Sequence, residues 1–190
     1  MSAKKKWTIA IIIMLSVGLI VTGGIYAVLF VDKILNPEEK ETVEYAPAPS
    51  PKQGQTRSGL GTLRTQDNAK VDQVLQEALK PEIIVAEKDV IDVMHHMTHQ
   101  KVKAKEKWTS VEMTPERVRL LIQMIEAKGT GWVNHNKMLE IARKWENGDF
   151  AKVDEDHNFF WKVENGSIGK ATGILSEKEE LQFIKETFKH

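Results

Sequence analysis

The chain has 190 residues and carries 27 basic and 27 acidic side chains, so its formal net charge at neutral pH is zero. This balance gives no electrostatic footprint for nucleic acid, which therefore is not an expected partner. The sequence contains no cysteine, and this absence excludes disulfides, a thiol nucleophile and cysteine-based zinc sites.

The first predicted element is a long apolar segment near the N-terminus. No charged residue lies between Lys6 and Asp32, and a helix over residues 7–31 is longer than the roughly 30 Å hydrocarbon core of a bilayer. Apolar residues cover every face, which favours a membrane span over a core helix. A cleaved signal peptide has a shorter apolar region and a small-residue cleavage site directly after it.

The charges on either side of the span predict its orientation. Lys4, Lys5 and Lys6 precede it, and acidic residues dominate after it, so residues 1–6 are expected in the cytoplasm and the rest of the chain outside. The bilayer is thus the first expected partner. Gly23 and Ala27 form a small-xxx-small pair, which suggests homodimerisation or a structural subunit that works through its span.

Residues 32–66 read as a flexible linker. Pro47, Pro49 and Pro51 alternate with small residues, which is typical of an extended spacer, and a polar glycine-containing stretch follows. The segment has few large apolar residues, so it cannot repay the entropy of ordering. Its predicted role is to hold a folded domain away from the membrane.

Residues 67–190 predict an all-α domain, a compact bundle of five or six short helices. The helix starts are expected near Asp67, Ala86, Pro115, Asn134, Val153 and Ser176. Thr114 before Pro115 is a helix-start signal, and Ser176 with Glu179 forms a capping box. The segment Ile83–Val85 is the main strand signal, and it reads as a short strand or an apolar turn.

Three histidines share one predicted helix with an aspartate. At 100° per residue, Asp92, His95, His96 and His99 fall opposite the apolar stripe, so we expect an exposed polar face and a possible interaction surface. His95 and His99 are one turn apart and could reach one metal ion, with Asp92 as a third ligand or an orienting residue. A pH-responsive contact surface is another interpretation.

Other motifs carry weaker signals. The acidic run 154–158 lacks the spacing of an EF-hand loop and favours helix capping. The tryptophans of the domain are expected in its core. The glycine-rich stretch 166–173 is not a P-loop, because Ala171 follows Lys170 and a helix precedes it. We therefore predict no catalytic residue and no cofactor.

Several motifs together are familiar. They are the segments 94–102, with its histidines, 145–150, 157–158 and 169–176. The chain from Val85 to His190 resembles a family of uncharacterised, membrane-anchored proteins from Gram-positive, spore-forming bacteria. The resemblance implies a single span followed by a compact extracytoplasmic helical domain, and it implies no activity.

The first functional hypothesis is a non-enzymatic binding or interaction module, anchored in the cell membrane, that contacts a protein or a cell-envelope component. The alternative is a metal-dependent hydrolase of envelope material that uses the histidine cluster. It would need a further ligand, His135 or His157, brought close by folding. The helix also lacks the glutamate of an H-E-x-x-H motif, so no general base is in place.

Overall fold

The computed structural model describes Tyr45, residues 50–63 and residues 67–188. The predicted span 7–31, with Gly23 and Ala27, lies outside the described residues, so anchoring and dimerisation stay predictions. Within the described part of the chain, no helix is both long enough and apolar enough to cross a bilayer.

The described residues contain six α-helices and four two-residue strands, so a mostly helical domain is confirmed. The helices are α1 Asn68–Ala78, α2 Glu87–Thr98, α3 Pro115–Lys128, α4 His135–Glu146, α5 Val153–Val163 and α6 Glu177–Thr187. The strands are β1 Thr56–Arg57, β2 Ile83–Ile84, β3 Val102–Lys103 and β4 Gly173–Ile174. A 3-10 turn, Leu60–Thr62, precedes α1.

The helices begin where the capping residues predict. The Asp67 carboxylate accepts hydrogen bonds from two backbone N–H groups at the start of α1. Thr114 accepts one from the Arg117 N–H, with Pro115 in the first helical position. The capping box of Ser176 and Glu179 is formed at α6. These contacts satisfy N–H groups that have no partner within the helix.

The core forms around α3 and α2. In α3, Leu121, Met124 and Ile125 are fully buried, and this helix packs against α4. Helix α2 turns Val90 and Met94 into the same core, while its other side packs against α5. Helix α2 is therefore covered on both sides, which is the arrangement that creates the candidate site.

Two short strand pairs join distant parts of the domain. Strand β1 pairs in parallel with β2, so the Ile83–Ile84 signal is a strand rather than an apolar turn. Strand β3 pairs antiparallel with β4 and ties the segment after α2 to the segment before α6. The second pair helps to enclose the far end of α5, which contacts both β3 and β4.

Part of the predicted linker belongs to the folded domain. Strand β1 and the 3-10 turn lie within 32–66, and Leu60 and Leu63 are buried in the core. Further upstream, the Tyr45 hydroxyl donates a hydrogen bond to the Val163 carbonyl at 3.1 Å. The sequence gives no periodicity here, because two isolated leucines in a polar stretch are ordered only by burial against other elements.

This difference predicts a stability effect at Leu60. Replacing Leu60 with Ala should lower the free energy of unfolding of the full chain in detergent by about 2–5 kcal/mol, because it leaves a cavity in the core. Leu181→Ala is the matched control, since Leu181 is 60% exposed, and it should stay within about 0.5 kcal/mol. Equal melting curves for the two variants would contradict the assignment of this segment to the folded domain.

Candidate functional site

The candidate site lies between α2 and α5. His95 and His99 stand one turn apart on α2, and His157 comes from α5. The ring centre of His95 is 4.5 Å from that of His157 and 5.1 Å from that of His99, and the His99 and His157 rings are 5.5 Å apart. One nitrogen from each ring lies within 4.8 Å of the other two. We call these three residues the histidine cluster.

The prediction that the polar face of α2 is exposed is wrong for most of its four side chains. Asp92 and His99 are buried, and the side chain of His95 keeps only 12% of its exposure. His96 is partly exposed. Periodicity correctly separates the two faces of the helix, but it cannot show that α5 covers the polar face.

The cluster contains His157 rather than Asp92 or His135. Among the described residues, the group whose atoms could share a metal ion is His95, His99 and His157. A sequence signal for His157 exists, since it falls on the buried stripe of α5 with Val153 and Phe160 at helical spacing. His135 is the first residue of α4, outside this group.

The Nδ1 atoms of the two α2 histidines are held by hydrogen bonds. His95 Nδ1 is hydrogen-bonded to the Glu164 carboxylate, and His99 Nδ1 donates to the Thr109 carbonyl. A carbonyl oxygen only accepts, so Nδ1 of His99 carries the proton and the neutral ring presents a lone pair at Nε2. His95 Nε2 is buried and has no hydrogen-bond partner among the described residues.

His157 is fully buried and contacts α2 and the loop after α5. Its Nδ1 lies 2.8 Å from the Thr98 hydroxyl oxygen, and its Nε2 lies 3.1 Å from the Gly169 carbonyl oxygen. The Thr98 hydroxyl also lies 2.6 Å from the His95 carbonyl oxygen. His157 thereby links both helices and the loop at one point.

Asp92 lies beside the histidine cluster and contacts Lys88 and Glu164. Its carboxylate accepts hydrogen bonds from the Lys88 ammonium at 3.2 and 3.3 Å. Burial acts to raise the pKa of Asp92, but hydrogen bonding to Glu164 and the charge of Lys88 outweigh it, so the pKa lies below its usual value. Asp92 is therefore charged beside Glu164, the residue that holds His95.

Burial keeps the clustered imidazoles neutral. Desolvation lowers the pKa of His95 and of His157 to about 4. The pKa of His99 is lowered to about 2, first by desolvation and then by repulsion from the neighbouring histidines. Neutral imidazole is the form that offers a lone pair to a metal ion or accepts a hydrogen bond.

A pocket of about 330 Å³ opens beside the cluster. Its walls are formed by His95, His96, His99, Glu106, Trp108, Trp161, Glu164 and the loop 165–169. The prediction that the tryptophans are core residues holds for Trp145, which is 3% exposed, and is wrong for Trp108, which is 80% exposed. We call this cavity the histidine pocket.

The loop over the pocket is held tightly against α5. The Trp161 indole N–H donates to the Ile168 carbonyl at 2.8 Å. A Cβ added at Gly166 would lie 2.4 Å from the Trp161 indole nitrogen, so this position requires glycine. Asn158 exchanges two hydrogen bonds with the backbone of Ala171. The glycine-rich stretch that resembles a P-loop is thus a packed cover for His157.

The acidic run at the start of α5 is structural. Asp156 is buried and accepts hydrogen bonds from the Lys144 ammonium at 2.7 Å and from the Trp145 indole at 3.0 Å. Three acidic residues occupy the first turn of α5, as helix capping predicts. Asp156 therefore ties α5 to α4 and is not available to a free cation.

Residues 94–185 match the model of a family described as a family of unknown function, DUF6241. The matched region contains all three residues of the histidine cluster. It supports the coarser part of the resemblance seen in the sequence, namely a domain of unknown function. No curated protein and no solved structure matches the chain.

The lowered histidine pKa values predict a loss of stability in mild acid. Between about pH 6.5 and pH 4 the histidines of the unfolded chain bind protons, whereas those of the folded cluster stay neutral. The free energy of unfolding is therefore highest above about pH 6.5 and falls as the pH decreases through this window. The loss is at most about 1.4 kcal/mol per pH unit for each histidine.

Thermal melting of the chelator-treated full chain between pH 7.5 and 4.5 measures this slope. His157→Gln should flatten it, whereas His135→Gln, on a helix outside the cluster, should leave it unchanged. If the wild type and His157→Gln lose stability equally over this range, the neutral buried cluster is disproved.

Proposed function

We propose that the chain is a membrane-anchored binding module that lies outside the cytoplasm and binds a cell-envelope component in the histidine pocket. The apolar segment 7–31 supports the anchor, and the basic residues before it support the orientation. The exposed Trp108 at the pocket is the observation that carries the binding function. Binding rather than catalysis is the proposed main activity.

Trp108 is an unusual residue to leave in water. It is 80% exposed, and Ile168 on the same pocket is 56% exposed. Large apolar side chains grouped next to polar ones are typical of ligand sites, where the apolar surface is covered on binding. The volume of the pocket also falls at the lower end of the range for small-molecule sites.

The lining favours a saccharide as the ligand. The flat face of Trp108 can stack on the C–H face of a sugar ring, and the side chains of Glu106 and His96 add hydrogen-bonding groups to the walls of the same pocket. Envelope polysaccharides combine these two surfaces and lie on the proposed side of the membrane. We therefore take peptidoglycan fragments as the test ligand.

Calorimetric titration of the full chain in detergent with soluble peptidoglycan fragments tests this function. Trp108→Ala should weaken binding at least about tenfold, because it removes the stacking surface. Leu181→Ala removes another exposed apolar side chain, on α6 and outside the pocket, and should bind as the wild type does. No binding by the wild type, or equal binding by Trp108→Ala, would refute this ligand assignment.

A metal-dependent envelope hydrolase is the second candidate function. One observation favours it: His157 lies beside His95 and His99 and so supplies the third ligand that such an enzyme needs. Glu106 on the pocket wall is the candidate general base.

The hydrolase candidate has a direct test. The zinc-treated full chain should cleave peptidoglycan fragments, as seen by mass spectrometry, and His157→Gln should abolish the cleavage. Intact fragments after incubation with the wild type would rule out this candidate and leave the binding function in place.

A further inference from the structure

We infer that His95, His99 and His157 bind one transition-metal ion, each through one ring nitrogen, and that zinc is the ion best suited to the site. This inference goes beyond the proposed binding function, because it concerns an ion held by the buried cluster and not the ligand of the outer pocket. The hydrolase candidate requires such an ion, but the ion can bind without any hydrolysis. Geometry, hydrogen bonding and the chemistry of the donor atoms each support it.

The distances in the cluster allow one ion to reach all three rings. Zinc lies about 2.0–2.1 Å from imidazole nitrogen, so neighbouring nitrogens in a tetrahedral site are about 3.3 Å apart. The ligand atoms of the cluster lie within 4.8 Å of one another. The rings therefore need to close by at most about 1.5 Å, which small side-chain rotations on two fixed helices can supply.

The surrounding hydrogen bonds orient the rings as in metal sites. Metal-binding histidines almost always use their second ring nitrogen to contact a carboxylate, a backbone carbonyl or another polar group. Here His95 Nδ1 contacts the Glu164 carboxylate, and His99 Nδ1 contacts the Thr109 carbonyl. Both rings are thus fixed by supporting groups, and Nε2 is the nitrogen left for an ion.

The buried Nε2 of His95 is the second indication. In the part of the chain that the structure describes, it has no hydrogen-bond partner, although a buried polar atom without one costs about 1–3 kcal/mol. Burial is tolerated when such an atom gains a partner in the functional state. A metal ion shared with His99 and His157 would be that partner.

A proton count at His157 gives the third indication. Three contacts meet there: Thr98 to the His95 carbonyl, Thr98 to His157 Nδ1, and His157 Nε2 to the Gly169 carbonyl. A neutral histidine and one hydroxyl supply two protons for these three contacts, and the two carbonyls can only accept. Both protons go to the carbonyls, one from the Thr98 hydroxyl and one from His157 Nε2–H, so His157 Nδ1 faces the Thr98 oxygen with no proton between them.

A metal ion at His157 Nδ1 would supply the positive partner that this nitrogen lacks. Both contacts to the carbonyls stay in place, with Thr98 donating to His95 and His157 Nε2–H donating to Gly169. The Gly169 carbonyl is then the group that orients the His157 ring, as the Thr109 carbonyl orients His99.

The donor set selects the class of ion. Three imidazoles suit zinc and its neighbours in the first transition row, whereas magnesium and calcium prefer oxygen ligands. Three protein ligands also leave a fourth position open, as in catalytic rather than structural zinc sites. His95 and His99 line the histidine pocket, so that position is next to it.

Calorimetric titration with zinc chloride tests the site. The full chain is purified in detergent without a polyhistidine tag, stripped with a chelator and titrated. We expect one ion per chain, and His99→Gln or His157→Gln should weaken binding at least about 100-fold. Glu164→Gln, which alters the group that holds His95 Nδ1, should weaken it by about 10–100-fold. His135→Gln is the matched control and should bind as the wild type does.

Cobalt substitution tests the site in the wild-type chain, so its result does not depend on whether the variants fold. The wild-type chain with cobalt should show the intense visible absorption of a four-coordinate ion with nitrogen ligands, and addition of zinc should remove it. The inference is overturned if the wild type binds no zinc. It is also overturned if variants that keep the wild-type circular dichroism spectrum bind zinc unchanged, or if cobalt shows only the weak six-coordinate spectrum. Peptidoglycan binding is read separately and does not decide these outcomes.

Discussion

The packing of α2 on both of its sides is the constraint on which the site depends. Val90 and Met94 face the apolar core, while His99 and Asp92 are buried on the side where α5 lies. A polar face that is covered must satisfy its hydrogen-bonding groups within the protein, since unpaired buried groups are costly. The contacts to Lys88, to Glu164 and to the Thr109 carbonyl are the consequence of this cover.

Helix α5 carries both core residues and a residue of the histidine cluster. Phe160 is fully buried and packs against Trp145 on α4, and the Asp156 carboxylate binds the indole nitrogen of that tryptophan. These contacts fix α5 on the core side. His157 can then be held in a position that an apolar residue of similar size would fill at lower cost, and such a departure from a simple core is typical of functional sites.

The sequence and the structure agree best where the signal is local. Capping residues such as Thr114 and Ser176 define helix starts, because their partners lie three residues away. The histidine cluster is a different problem. Its α2 half follows from spacing, but the choice between His135 and His157 depends on which helix covers α2, and this is a tertiary contact. The burial of Leu60 is not predictable from the sequence for a related reason, since the helices that its 3-10 turn contacts follow it in the chain.

The proposed ligand of the histidine pocket and the proposed metal ion are linked by the charge of the pocket. The described walls contain the carboxyl groups of Glu106 and Glu164 and no lysine or arginine, and burial keeps His95 and His99 neutral, so without an ion the pocket disfavours an anionic ligand. An ion of charge +2 on the cluster would be the largest local charge and would reverse this preference. A neutral saccharide would then suit the ion-free pocket through its hydroxyl groups, whereas a ligand with a carboxylate would be favoured when the fourth metal position is available. The ion-bound and ion-free pockets would therefore select different parts of the same envelope polymer, since peptidoglycan carries both sugar rings and peptide carboxylates.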